Sequence, residues 1–246
     1  LKYLITQDMV ADITINPDFG QIEVDPADIN LTYFETYFVE KRPFFMENAT
    51  LFDTPIEVFY SRRVGTNRNY IKGNWQSKMD ALVKYAGKLS GKTMKGLSFG
   101  SIAAITNDGH NSWGNKENNS MFLINRVTQD LFEGNSYIGY LGTHYTDSNM
   151  SSTVNSIDML SYLHENQLII DWQYIYSQNK LNGEGLSFEL SYNPSQHAVY
   201  TWMDFEYFDK NFNIDDVGYL YRNNLQKLQG GIGFYWPELD SPFFED

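Results

Sequence analysis

The sequence contains no cysteine, which excludes disulfide bonds, thiolate metal sites and cysteine nucleophiles. It also has no stretch approaching the roughly 18 apolar residues that a membrane-spanning helix requires. A membrane location stays open, because a spanning β-strand needs only about 9–11 residues of alternating character. A start methionine and a secretory leader are absent, so we expect a mature or excised piece.

Basic residues are scarce, with 18 Lys and Arg against 31 Asp and Glu and a net charge of −13. Phosphate backbones bind to basic surfaces, so nucleic acid is excluded as a partner. Most of the basic side chains fall in residues 41–95. The simplest interpretation is that they neutralise the acidic segment before them. An anionic sugar or a lipid headgroup is the alternative partner for this block.

A two-residue hydrophobic rhythm runs through residues 166–208, and a period of two indicates β-strands. Aromatic residues make up 16% of the chain and sit in these alternating patterns. For residues 167–177 we predict one row facing outward: Leu168, Trp172 and Tyr176. We predict that the opposite row faces inward: Asp171 and Gln173.

Turn signals separate ten candidate strands after residue 78, and the fold class that this predicts is all-β. The candidates are 79–90, 96–106, 121–132, 136–146, 154–164, 167–177, 185–193, 198–209, 217–223 and 228–236. We expect an antiparallel meander that forms an outer-membrane-type β-barrel or part of one, with a soluble β-sandwich as the alternative.

The first part of the chain reads differently from the rest. We predict that residues 1–77 form an irregular, plug-like segment with a first strand at 11–15, and that 78–246 supply the barrel strands. A short helix is predicted over 28–38. Tyrosines and a tryptophan near the strand ends predict an aromatic girdle at the membrane interface: Tyr137, Tyr145, Tyr176, Tyr192, Tyr207 and Trp236.

Four stretches resemble a known family: NPDFGQIEVD at 16–25, NLTYFE at 30–35, FVEKRPFFME at 38–47 and FYSRRVG at 59–65. They are similar to the opening of the domain of unknown function 5916. In Gram-negative envelope proteins that domain follows a carbohydrate-binding module similar to family nine. The resemblance implies an outer-membrane location and a barrel-like architecture more than a particular reaction.

An acidic cluster in the early segment gives the candidate catalytic carboxylates: Asp18, Glu23, Asp25, Glu35 and Glu40. Two of them at a suitable separation could act as acid and base on a glycosidic bond. Such oxygen-rich groups could instead bind Ca²⁺. The third interpretation is a salt-bridged plug inside a polar lumen, and we favour it.

A basic series provides candidate groups for ligand binding or for pairing with the plug carboxylates: Lys41, Arg42, Arg62, Arg63, Lys84 and Lys88. Lys84, Lys88 and Lys92 share the parity of one strand, so we expect them on one face, opposite Ala81, Val83, Tyr85 and Leu89.

Two other patterns carry little chemistry. Residues 96–100 read G-x-S-x-G, but a nucleophile elbow needs a strand-to-helix turn, and Ser98 is predicted within a strand. The four histidines are scattered without ligand spacing, so no transition-metal site is expected.

Three functions follow as hypotheses. The first is an outer-membrane β-barrel domain of an envelope protein that handles or transports carbohydrate, with lipid and a glycan as partners and no required catalysis. The second is a glycan-acting hydrolase that uses the carboxylates of residues 18–47. The third is a structural subunit that docks a protein partner at the cell surface.

Overall fold

The computed structural model describes residues 1–17, 35–65, 82–107, 119–194 and 199–234. Eleven strands form one antiparallel meander in chain order, from β1 to β11. They are β1 (Lys2–Thr6), β2 (Met9–Ile15), β3 (Leu82–Lys92), β4 (Leu97–Asn107), β5 (Asn119–Leu131), β6 (Ser136–Thr146), β7 (Ser151–Leu163), β8 (Leu168–Gln178), β9 (Asn182–Tyr192), β10 (Val199–Phe208) and β11 (Leu225–Phe234).

The sheet is open within the described residues, because β1 and β11 do not pair with each other. An open meander is the arrangement expected of part of a barrel or of one layer of a sandwich. We call the eleven-stranded sheet the wall.

Residues 35–65, which we call the plug, lie between β2 and β3 and pack on one face of the wall. They contain one helical turn, α1 (Pro43–Met46), and two 3-10 turns at Ala49–Phe52 and Ser61–Arg63. The plug buries apolar side chains against wall residues of the inward face, among them Ile102, Ile124 and Leu141. The connection 209–224 completes this core with Phe212, Ile214 and Val217.

Residues directly opposite each other in neighbouring strands point to the same face of a sheet. The registers therefore divide the wall into an inward row, which meets the plug, and an outward row. Leu168, Trp172 and Tyr176 lie on the outward row of β8, and Asp171 and Gln173 lie on the inward row, so the predicted division of this strand is confirmed.

Several sequence predictions are wrong in detail. Residues 217–223 are not a strand, because the backbone N–H groups of Val217 and Gly218 bond to Ile214 and that of Tyr219 bonds to Glu57 of the plug. The first strand, β1, was not predicted. Residues 35–38 are not helical, since the backbone N–H and C=O of Phe38 both bond to the Tyr60 hydroxyl. Residues 28–34 of the predicted helix lie outside the described residues.

Two face assignments also need correction. A bulge in β3 leaves Lys84 without a partner in β4 between Val83 and Tyr85, so Val83 turns to the inward face with Lys88. Tyr137 and Tyr145 face inward and cannot belong to an outer girdle, whereas Tyr176, Tyr192 and Tyr207 lie on the outward row. Ala81 and Trp236 lie outside the described residues.

Candidate functional site: the plug, its anchors and a polar pocket

Polar side chains of the inward row hold the plug by its backbone. The Lys88 ammonium donates to the carbonyl oxygens of Phe44 and Glu47, the second at 2.7 Å. Arg126 Nε donates to the Leu51 carbonyl at 3.2 Å. The Gln173 amide brackets Ile56, accepting from its N–H and donating to its carbonyl oxygen at 3.2 Å.

These anchors follow one order. Lys88 lies on β3, Arg126 on β5 and Gln173 on β8, and their contacts fall successively later in the plug, from residue 44 to residue 56. The plug therefore runs across the inward face in the direction from β3 to β8. Buried backbone groups must find partners, and here the wall supplies them where the plug has no regular structure of its own.

Arg126 and Asp158 form the most deeply buried ion pair of the described residues. Their side chains are 1% and 0% exposed, and the two terminal guanidinium nitrogens, Nη1 and Nη2, donate to the carboxylate, the second at 2.7 Å. Gly139 lies between them on β6. A Cβ at that position would lie 2.7 Å from the Arg126 guanidinium, so a larger residue there would push the guanidinium away from its place beside Asp158.

Arg63 joins the plug to the connection 209–224. Its guanidinium donates to both carboxylate oxygens of Glu35 at 2.6 and 2.7 Å, and its Nε donates to the Gly218 carbonyl at 2.8 Å. Asp215 lies in the same connection. Burial raises the pKa of Asp215 to about 6, with Glu35 adding to the effect and Arg63 opposing it.

Three tyrosine rings cluster beside this ion pair. Tyr37 stacks on Tyr60 at a centroid distance of 4.9 Å, and Tyr219 meets both rings edge-on. The Tyr37 hydroxyl donates to Glu57 at 3.1 Å. Burial, followed by the nearby Glu57 charge, raises the pKa of Tyr37 to about 12. Tyr37 remains half exposed, so the cluster presents an aromatic surface beside the connection 209–224.

Arg42 forms a second ion pair within the plug. It donates to both oxygens of Glu40 at 2.9 and 2.7 Å and to the carbonyl oxygens of Ser61 and Val64. Burial opposes ionisation of Glu40, but the hydrogen bonds and charge of Arg42 outweigh it and lower the pKa of Glu40. An ionised, arginine-bound carboxylate is suited to fixing the plug conformation.

The predicted site residues therefore fall into separate places. Glu35 and Glu40 are bound by different arginines of the plug. Arg62 lies over the Phe38 ring, Lys41 is exposed and Lys84 lies at the bulge. Asp18, Glu23 and Asp25 lie outside the described residues. Their proposed catalytic or ligand-binding roles stay predictions.

A polar pocket of about 540 Å³ lies between the plug and the wall at the end of the sheet that carries the turns 7–8, 93–96 and 132–135. We call this the short-turn end. Its lining combines carboxylates, hydroxyls, amides, one aromatic ring and the cations of Lys92 and Arg126, which are ion-paired with Asp130 and Asp158. This set can both donate and accept hydrogen bonds. Among the lining residues are Gln7, Asp8, Asn48, Asp53, Ser98 and Tyr137.

Sequence reasoning missed this pocket. Gln7 and Asp8 come from a hairpin that was not predicted, and Ser98 was considered only as a nucleophile. In the structure Ser98 is the second residue of β4 and faces the pocket from within the sheet. Its place in a strand removes the turn that a nucleophile elbow needs.

An acidic row lies on the inward face of the last strands. Asp171, Glu189 and Asp204 are directly opposite one another on β8, β9 and β10. Like charges in this arrangement repel, and Lys227 of β11 relieves part of the repulsion by donating to Asp204 at 3.0 Å and Glu206 at 3.3 Å. No group of three or more metal-ligating side chains with suitable geometry occurs in the described ranges.

These observations define an all-β domain in which an ion-paired plug packs on one face of an open antiparallel wall. The profile of the family described as "Domain of unknown function (DUF5916)" matches residues 1–239, and the chain belongs to that family. Neither a curated protein nor a solved structure matches the chain.

Proposed function

We propose that this chain is an outer-membrane, barrel-type domain that handles or transports a polar solute of the carbohydrate class, without needing to catalyse a reaction. The observation that supports it best is the distribution of charge on the wall. On the outward row of the described strands, Glu184 is the one charged side chain, apart from Lys84 at its bulge. The inward row carries the rest: Lys2, Asp12, Lys88, Lys92, Arg126, Asp130, Asp158, Asp171, Glu189, Asp204, Glu206 and Lys227.

Water-soluble proteins place their charged residues on the surface and bury apolar ones. The wall has the reverse arrangement. Large apolar side chains are exposed on the outward row from β2 to β11, including Ile13, Ile105, Ile157 and Leu228. A continuous exposed apolar surface of this kind marks an interaction site, and an uncharged one suits the hydrocarbon of a bilayer. Among the described residues, no helix has the length and apolar character to cross a membrane.

The polar pocket supports the solute class. Hydroxyl, amide and carboxylate groups beside a tyrosine ring can hydrogen-bond to a polyhydroxylated molecule and stack on its apolar face. The resemblance to envelope proteins that carry a carbohydrate-binding module points in the same direction.

The membrane assignment can be tested with charge on the outward face. Met159 lies on the outward row of β7, and we expect Met159→Arg to lose about 2–4 kcal/mol of folding stability in lipid vesicles. Met159→Gln is the matched control, since it removes the same side chain without adding charge. Equal stability of the two variants, together with solubility without amphiphile, would overturn the proposal.

Binding of the solute is tested separately. Calorimetric titration of the reconstituted protein with neutral oligosaccharides should give heat that is lost in Gln7→Ala, because Gln7 lines the pocket. Gln178→Ala, outside the pocket, is the control and should bind as the parent does. The absence of binding by any member of a neutral oligosaccharide series would contradict the solute class while leaving the membrane location standing.

A further inference from the structure

The outward row changes character along β6 to β9. Next to the short turns it is mainly apolar, with Ile138 on β6, Leu163 on β7, Leu168 on β8 and Leu190 followed by Tyr192 on β9. The polar exceptions there are Ser136 on β6 and Ser161 on β7, and both are buried. Towards the opposite end the same strands carry a polar collar. The collar consists of His144, Thr146, Ser151, Thr153, Asn155, Gln178, Asn182 and Glu184.

The collar lies at the end of the wall that carries the longer connections. Three of the five connections at this end are long, namely 16–81, 108–118 and 209–224, and the other two, 147–150 and 179–181, are short turns that join collar strands. The short-turn end carries no long connection: its connections are 7–8, 93–96, 132–135, 164–167 and 193–198. Outer-membrane strands are joined by short turns on the periplasmic side and by longer loops on the outside. The polarity gradient and the connection lengths therefore distinguish the same two ends.

The lengths of the strands fit this division. β7 runs over Ser151–Leu163, and its outward row is polar over residues 151–155 and mainly apolar over 157–163. On β8 the apolar row covers residues 168–176, close to the roughly 9–11 residues that a tilted spanning strand needs. At about 3.3 Å per residue, the collar on β7 adds roughly 15 Å of strand beyond the apolar part.

We infer that β6 to β9 extend beyond the bilayer on the side of the long connections, with the collar in the headgroup layer and water, while the short-turn end lies at the opposite membrane surface. The inference rests on the proposed membrane location and adds the depth of each strand. Neutral amides and hydroxyls dominate the collar, so it suits the hydroxyl-rich zone of headgroups more than the phosphates, which would call for Lys or Arg.

The chain lacks cysteine, so a single introduced cysteine carries a spin label at one site only. We would label Thr153→Cys, Asn155→Cys, Met159→Cys and Leu163→Cys, all on the outward row of β7, in lipid vesicles. Collision with molecular oxygen, which concentrates in hydrocarbon, is compared with collision with a water-soluble nickel chelate. Met159 should favour oxygen, and Thr153 and Asn155 should favour nickel.

The outcomes separate the two proposals. A label at Thr153 as deep in hydrocarbon as one at Met159 would overturn the projecting collar and leave the membrane location intact. Nickel access at Met159 equal to that at Thr153 would overturn both. A nickel preference at Leu163 like that at Thr153 would indicate an apolar band centred on the strand, which also contradicts the inference.

Discussion

Arg126 and Asp158 face each other across β6 as a fully buried, two-pronged ion pair, and the same arginine donates to the plug backbone at Leu51. A buried pair is costly to break, because its remaining member keeps a charge without a partner. This contact therefore links the integrity of the wall to the position of the plug.

The first prediction concerns this pair. Asp158→Asn should reduce the free energy of unfolding by about 3–5 kcal/mol, since Arg126 keeps its charge inside the protein. Denaturant unfolding in detergent measures the loss, and Glu184→Gln on the outward row of β9 is the control with little expected effect. The double variant Arg126→Met with Asp158→Leu should recover most of the stability. A single variant as stable as the control would refute the role of the pair.

The second prediction concerns the anchor at Gln173. Gln173→Leu removes both hydrogen bonds to Ile56 and the one to Ser156. Because buried polar groups are left without partners, the free energy of unfolding should fall by about 1–3 kcal/mol. We expect faster proteolysis within residues 35–65. Gln178→Leu on the same strand lies at the exposed end of β8 and is the matched control. Equal cleavage rates in the two variants would show that Gln173 does not hold the plug.

The third prediction uses two glycines of the wall. A Cβ at Gly100 would lie 2.7 Å from ring and methyl carbons of Phe52 and Leu51 in the plug, whereas one at Gly87 would meet nothing within 4 Å. Gly100→Val should lower the free energy of unfolding by about 1–3 kcal/mol, because the added side chain overpacks the contact with the plug. Gly87→Val should be close to neutral in thermal unfolding. Similar losses at both positions would argue against tight packing of the plug on β4.

The fourth prediction is a pH dependence. Burial raises the pKa of Asp215 to about 6, above the value near 3.9 of an unfolded aspartate. The folded state then binds the proton more tightly than the unfolded state. The contribution of Asp215 to the free energy of unfolding is therefore most favourable below about pH 4. It falls by roughly 3 kcal/mol as the pH rises to about 6 and is constant above that.

Asp215→Asn should remove this part of the decline, which unfolding curves at pH 4.5 and pH 7.5 would show. Asp209→Asn in the same connection is the comparison variant. A parent protein that gains stability over this pH range relative to Asp215→Asn would contradict the assigned sign.

The strand rhythm was readable from the sequence because alternation is a local property. The strands from residue 82 onward and the two rows of β8 follow from it directly. The bulge at Lys84 was not readable, since nothing in a local pattern shows that one residue will lack a partner across the sheet. The single extra residue reversed the predicted face of Val83.

The site was less accessible to sequence reasoning than the fold. Pairing of basic residues with plug carboxylates was predicted, and Arg42 and Arg63 do bind Glu40 and Glu35. Lys88 instead bonds to backbone carbonyl oxygens, which no sequence pattern marks as special acceptors. The Arg126–Asp158 pair joins strands β5 and β7, and Gln173 reaches back to a residue far earlier in the chain, so both depend on the complete topology.

The pairing of β2 with β3 brings together strands separated by the whole connection 16–81. Closing so long a loop costs conformational entropy. The contacts of the plug with later strands offset this cost, and they exist only after those strands have formed. The hairpin of β1 and β2 is therefore joined to the other nine strands through the plug, and the plug must pack on the wall before β2 can pair with β3. Its backbone amides should exchange with solvent hydrogen sooner than those of β5 or β7, and assembly of the sheet should finish where the polypeptide starts.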